Sequence, residues 1–201
     1  ALTFDAEHPD RPALPGTAES IVATLARRAT RATFFVQGRW ALAYPGTVRS
    51  ILADGHLVGS HSHYHAMMPL LTDEGIAEDL REAAEAIVDA AGLDPRPWFR
   101  CPFGEGADDP RVLAAVEAAG YHHVGWHVEA FDWQPSASAT QVAEDIVAGV
   151  LAHGDGAVVL LHTWPMATEG ALEPILDRLV DAGAALCRID ELSSVPAGVP
   201  G

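Results

Sequence analysis

The chain has 201 residues, 49% apolar and 20% charged, which bounds it to one globular domain large enough for a sizeable core. Its formal net charge is −16 and all 12 basic residues are arginine, so its surface repels phosphate backbones and anionic lipid but places no obstacle before a neutral sugar. The absence of lysine removes Schiff-base, pyridoxal and Walker-type chemistry, and no apolar stretch approaches the roughly 18 residues that a bilayer span requires. Neither nucleic acid nor membrane is therefore an expected partner, and a monomer is the expected state.

Short apolar runs alternate with helical patterns along the chain. The runs at Leu2–Asp5, Thr33–Val36, Leu57–Gly59, Trp98–Arg100, His123–Gly125 and Val158–His162, with a last one near Ala185–Ile189, predict strands. The segments Ala18–Arg28, Gly46–Ala53, Asp73–Ala91, Pro110–Ala119, Ala139–Ala152 and Gly170–Ala182 predict helices. The third is the clearest. Ile76, Leu80, Ala83, Ala84, Ile87 and Val88 fall on one stripe, Asp73 and Glu74 supply an acidic first turn, and Gly92 ends it. Gly55, Gly120 and Gly183 each follow a helix and feed a candidate strand. This order predicts an α/β fold of parallel strands wrapped by helices, which either an open doubly wound sheet or a barrel satisfies. Pro9–Gly16 reads as a loop and Val195–Gly201 as a disordered tail. No secretory leader is legible. The chain opens on a core strand, so any upstream residues are expected to have been trimmed. Cys101 and Cys187 have no metal-site spacing and read as two free thiols.

In β/α folds, functional groups collect at the C-terminal ends of strands. Five such ends here carry ionisable groups: Asp5 and Glu7; His61, His63 and His65; Arg100; Glu129 and Asp132; and His162. His61 and His65 are four apart and share a face if the segment turns helically. Two imidazoles and a carboxylate, from Asp5 or Glu7, make a common divalent-metal set with positions open for water and substrate. His63 falls on the other face, and His8 and His153 read as surface residues. Trp40, Tyr44, Trp126, Trp133 and Trp164 are compatible with stacking on sugar rings, although core packing is the favoured reading for Trp40 and Trp126.

In order, Thr3-Phe4-Asp5, His61-Ser62-His63-Tyr64-His65, Arg100-Cys101-Pro102-Phe103-Gly104, Asp132-Trp133 and Leu160-Leu161-His162 resemble the blocks of the polysaccharide deacetylases, carbohydrate esterase family 4, with their NodB-like domains. The resemblance implies a distorted, incomplete (β/α) barrel of parallel strands over residues 1–194. It also implies a metal-dependent hydrolase that removes acetyl groups from N-acetylglucosamine-containing glycans of chitin or peptidoglycan type. The alternatives are an O-acetyl xylan esterase, a hydrolase of a non-sugar amide, and a catalytically inactive carbohydrate- or protein-binding domain. By resemblance, Asp5 is the general base, His162 the general acid, Arg100 the partner of the site's carboxylates and Asp132 a supporting carboxylate. His61 and His65 are metal ligands for a divalent ion, zinc first, with cobalt or nickel able to serve. Phe103 supplies a main-chain oxyanion donor, Trp133 a pocket wall and Leu160 the acetyl pocket. Family members usually carry a second aspartate where this chain has Ala6; Asp5-Ala6-Glu7 resembles the variant with spaced acids, which makes Glu7 the third ligand. The family also implies an extracellular or cell-envelope location.

Overall fold

The computed structural model describes residues 1–8 and 14–197. Among the described residues, seven strands form one parallel sheet: β1 (Leu2–Ala6), β2 (Thr33–Val36), β3 (Leu57–Ser60), β4 (Trp98–Phe99), β5 (His122–His123), β6 (Val128–Glu129) and β7 (Val159–His162). The helices are α1 (Thr17–Arg27), α2 (Gly38–Ala43), α3 (Pro45–Ala53), α4 (Asp73–Ala91), α5 (Pro110–Ala118), α6 (Ala139–His153) and α7 (Met166–Asp181). Each begins where local chemistry allows. Thr72 caps α4 by accepting from the Gly75 N–H, Asp109 caps α5 through Arg111 and Val112, and Ser138 caps α6 through Gln141.

The strand order is β5-β4-β3-β2-β1-β7-β6, which puts β5 and β6 at opposite edges. Residues 124–127 alone join them. A flat seven-stranded sheet would set its edges about 29 Å apart, whereas four intervening residues reach at most ~18 Å. The connection is possible only if the sheet curls, so it forms an incomplete barrel rather than an open doubly wound sheet.

Strand alternation then sorts the side chains. Leu2, Phe4 and Ala6 on β1, Phe34 and Val36 on β2, Val58 on β3 and Val159 and Leu161 on β7 point outward and join the main core beneath the helices. The intervening residues point into the barrel. Thr3, Asp5, Phe35, Gly59, Trp98, Leu160 and His162 share that interior, and Glu7, His61 and Arg100 extend the inward series just past their strands. Gly59 is required there, because a Cβ would lie 2.9 Å from the Trp98 carbonyl oxygen and 3.0 Å from the Phe35 ring. At the N-terminal ends of the strands, Phe35, Val124 and Ile189 pack with Ala1, Leu57, Trp98 and Val195 and close the barrel floor.

Two expectations need correction. The run Ala185–Ile189 is not a strand: Ala184 and Leu186 pack on the core without pairing, and the Ile189 N–H is satisfied by the Thr33 hydroxyl. The seventh strand is instead β6, too short for its alternation to be read. Of the tail expected to be disordered, Val195 packs in the barrel floor and the Pro196 carbonyl accepts from the Gly125 N–H at 2.7 Å. Residues 198–201 lie outside the described residues, as do residues 9–13 of the loop expected at Pro9–Gly16.

Candidate active site

The inward series ends in a cleft of about 440 Å³ at the C-terminal ends of the strands. Asp5, Glu7, His61, His65, Phe103, Trp133, Leu160 and His162 all line it. Ala6 cannot contribute, since alternation turns it into the core, where it is fully buried. The same alternation brings Asp5 and Glu7 to one face, so an acid pair with one residue between is the spacing a strand delivers.

Glu7, His61 and His65 each offer a ligand atom within 4.8 Å of the others. His61 Nε2 lies 3.3 Å from Glu7 Oε2 and 3.1 Å from His65 Nε2, and the His65 ring contacts the same carboxylate oxygen. His61 Nδ1 faces the Arg100 carbonyl at 3.0 Å, an acceptor only, so it carries the ring proton. Nε2 is then the ring atom turned toward Glu7 and His65. Two ring nitrogens and a carboxylate turned on one point suit a divalent cation of borderline softness. Burial opposes ionisation of Glu7, but hydrogen bonds from His61, His65 and His8 outweigh it and hold the carboxyl well below its usual range.

The histidine pair does not sit on a helical turn, as the four-residue spacing suggests. Ser62 and His65 have left-handed backbone, with φ of 66° and 58°, and fold the segment back on itself. The His65 N–H donates to the Ser62 hydroxyl at 3.0 Å. The buried carboxylate of Asp79 on α4 accepts the N–H groups of His63 and Tyr64, both at 3.0 Å. Sequence reasoning missed Asp79, although the signal was present: an acid lies on the apolar stripe between Ile76 and Ala83.

Arg100 is fully buried inside the barrel. Its Nη1 donates to Asp5 Oδ1 at 2.9 Å and to the Thr3 hydroxyl at 2.8 Å, while Nε and Nη2 donate to the carbonyls of Val124 and Gly125. The guanidinium lies over the Phe35 ring at 4.1 Å. Asp5 Oδ2 remains 3.5 Å from His61 Nε2.

His162 stands beside Asp5, because the two are register partners on β7 and β1. Asp132 accepts the His162 main-chain N–H at 2.8 Å and faces its Nδ1 at 2.7 Å, which directs Nε2 toward the cleft. The Thr168 hydroxyl donates to the same carboxylate. Burial opposes the charged ring, but Asp132, aided by Glu7 and Asp5, outweighs it and raises the His162 pKa to about 9.

Phe103 has left-handed backbone, φ 59°, and its ring lies 4.4 Å from that of His65. His8, read from sequence as a surface residue, has its Nε2 3.0 Å from Glu7 Oε1, and the Trp164 indole N–H donates to the same oxygen at 3.3 Å. Trp40 is a core residue as expected, while Trp126 is buried yet also lines the cleft. Cys101 and Cys187 are free thiols.

Comparison with known proteins places this geometry. A family model for polysaccharide deacetylase matches residues 1–124. The chain is 33% identical over 192 residues to a peptidoglycan-N-acetylglucosamine deacetylase of Listeria monocytogenes, covering 96% of this chain and 38% of that protein. It thus spans well under half the length of that relative. Among solved structures, a family 4 carbohydrate esterase from Streptomyces lividans, in complex with acetate, is 31% identical and superposes with a TM-score of 0.79 over 94% of this chain and 90% of that one. A family 4 acetyl xylan esterase from Clostridium thermocellum, in complex with a cobalt ion, is 27% identical, with a TM-score of 0.83 over 98% and 93% of the two chains. By sequence match and by fold, this chain belongs to the polysaccharide deacetylase family, the family 4 carbohydrate esterases.

Proposed function

We propose that the chain is a metal-dependent hydrolase that removes the acetyl group from N-acetylglucosamine units of a chitin-type or peptidoglycan glycan. One observation carries this reading: the Glu7, His61 and His65 donor set lies beside the Arg100-held Asp5, and the Asp132-held His162 stands at the next strand end of the same cleft. The activity named for the Listeria relative supports the N-acetyl substrate. Glu7, His61 and His65 would hold the ion, with zinc first and cobalt or nickel able to serve; the cobalt in the Clostridium relative supports that class. Bound there, the ion would supply Lewis-acid polarisation of the acyl oxygen and a more acidic water.

The protein's own groups do the rest. Arg100 occupies Asp5 Oδ1 and leaves Oδ2 facing the donor set, where it takes the proton of the attacking water. The Phe103 main-chain N–H donates to the oxyanion of the tetrahedral state. Asp132 keeps His162 protonated at Nδ1 and charged at neutral pH, so Nε2 can give its proton to the departing amine. Leu160 and Trp133 wall the acetyl pocket and the sugar beside it.

The test is acetate release from N-acetylglucosamine oligomers, peptidoglycan fragments and acetyl xylan, with and without chelator. The expected result is chelator-sensitive release from the N-acetyl substrates. Release from acetyl xylan alone would replace the substrate. No release from any, with metal bound, would leave a binding domain.

A further inference from the structure

On the wall formed by the β6 end of the cleft stands a carboxylate to which the proposed reaction assigns no role. Glu129, at the end of β6, lines the cleft. Its Oε2 accepts the indole N–H of Trp126 at 3.2 Å, and its Oε1 accepts that of Trp133 at 3.3 Å. One carboxylate therefore fixes two indoles, one through each oxygen. Trp126 is buried, 5.5 Å above the Arg100 guanidinium, whereas Trp133 is 42% exposed. Phe131 beside it is 50% exposed and has φ 49°, a backbone region that bulky L residues rarely adopt. Its ring meets that of Trp133 edge-on at 6.3 Å. Core packing does not explain two large rings held at the cleft mouth by a carboxylate clamp and a left-handed backbone. Such a surface is suited to the apolar C–H faces of sugar rings.

We propose that Glu129 is a positioning residue for glycan recognition: by tying the exposed Trp133 to the buried Trp126 through its two oxygens, it sets the wall of Trp133 and Phe131 on which the sugar rings flanking the reacting unit stack. This rests on the reading of the cleft as a glycan site. The carboxylate is specific to the task, because glutamine places an N–H2 donor where one of the two oxygens accepts an indole N–H, and so keeps one of the two bonds.

Glu129→Gln and Glu129→Ala would be compared with the unaltered protein in two measurements. The first is acetate release from N-acetylglucosamine and from its linear pentamer. The second is binding of that pentamer to metal-free protein, followed by tryptophan fluorescence, with thermal melting to confirm folding. Glu129→Ala is expected to weaken pentamer binding roughly tenfold and to lose kcat/KM on the pentamer through KM more than kcat, with a smaller loss on the single sugar. Glu129→Gln should fall between the two. Unweakened pentamer binding in folded Glu129→Ala, or equal loss of kcat on both substrates, overturns the proposal. If no acetate is released but pentamer binding still depends on Glu129, the hydrolase reading fails and this one stands. If the unaltered metal-free protein does not bind the pentamer, this one fails.

Discussion

At the residue scale, the proposed site separates into groups whose candidacy shows in sequence and groups that hold them. Asp5, His61, His65 and His162 were legible as candidates because each stands at or just past the end of a candidate strand, where β/α folds gather their chemistry. The residues alone left open whether Asp5 or Glu7 is the ligand; the proposal takes Glu7, because Arg100 engages Asp5 while Glu7 meets both histidines. Asp5→Asn is expected to lower kcat by on the order of 10²–10⁴, measured by acetate release at saturating substrate. Near-unaltered turnover would remove Asp5 as base. His162 gives a prediction independent of turnover. In metal-free protein its ring should titrate at about 9 by NMR, and in Asp132→Asn it should fall toward the ordinary 6.5. Because the folded pKa is raised, the Asp132–His162 pair contributes its stability fully below about pH 6.5 and loses it as pH rises through about 9. A ring that titrates at the same pH in both proteins would contradict that coupling.

At the element scale, helices and long strands were readable from periodicity, and the failures share a cause. β6 is two residues long, too short for alternation to register, and α2 follows β2 after a single residue, so its pattern merges with the strand's. The loop after β3 was read as helical because four-residue spacing is the helical period, but its shape comes from two left-handed residues and a distant acid. Asp79 was missed because its partners are main-chain N–H groups, and its one mark in sequence is an acid on the apolar stripe of α4. Removing it leaves two part-buried N–H donors without their acceptor and frees the segment that carries His61 and His65. Asp79→Ala is expected to lower stability by about 2–4 kcal/mol in denaturant titration and to weaken metal binding about 10–100-fold in chelator competition. A destabilised variant with undiminished metal affinity would show that the helix supports the fold alone.

At the scale of the whole molecule, closure and the proposed chemistry rest on the same buried cation. Arg100 joins the β1 interior to residues 124 and 125, the connection that draws the two sheet edges together, and the same guanidinium holds Asp5. Sequence identified Arg100 as a partner for the site's acids but not as the centre of the barrel, because the carbonyls it binds carry no side-chain signature. Arg100→Ala leaves a buried carboxylate and several acceptors without a donor. A loss of roughly 3–5 kcal/mol is expected, read as a lower melting temperature together with weakened near-ultraviolet circular dichroism. An unshifted melting curve would place the closing force elsewhere.

The most direct measurement is the metal content of the purified protein and of Glu7→Ala by elemental analysis after equilibration with zinc. One divalent ion per chain in the unaltered protein, largely lost when Glu7 is removed, is the expected result. A metal-free unaltered protein, or undiminished loading without Glu7, would contradict a centre formed by Glu7, His61 and His65.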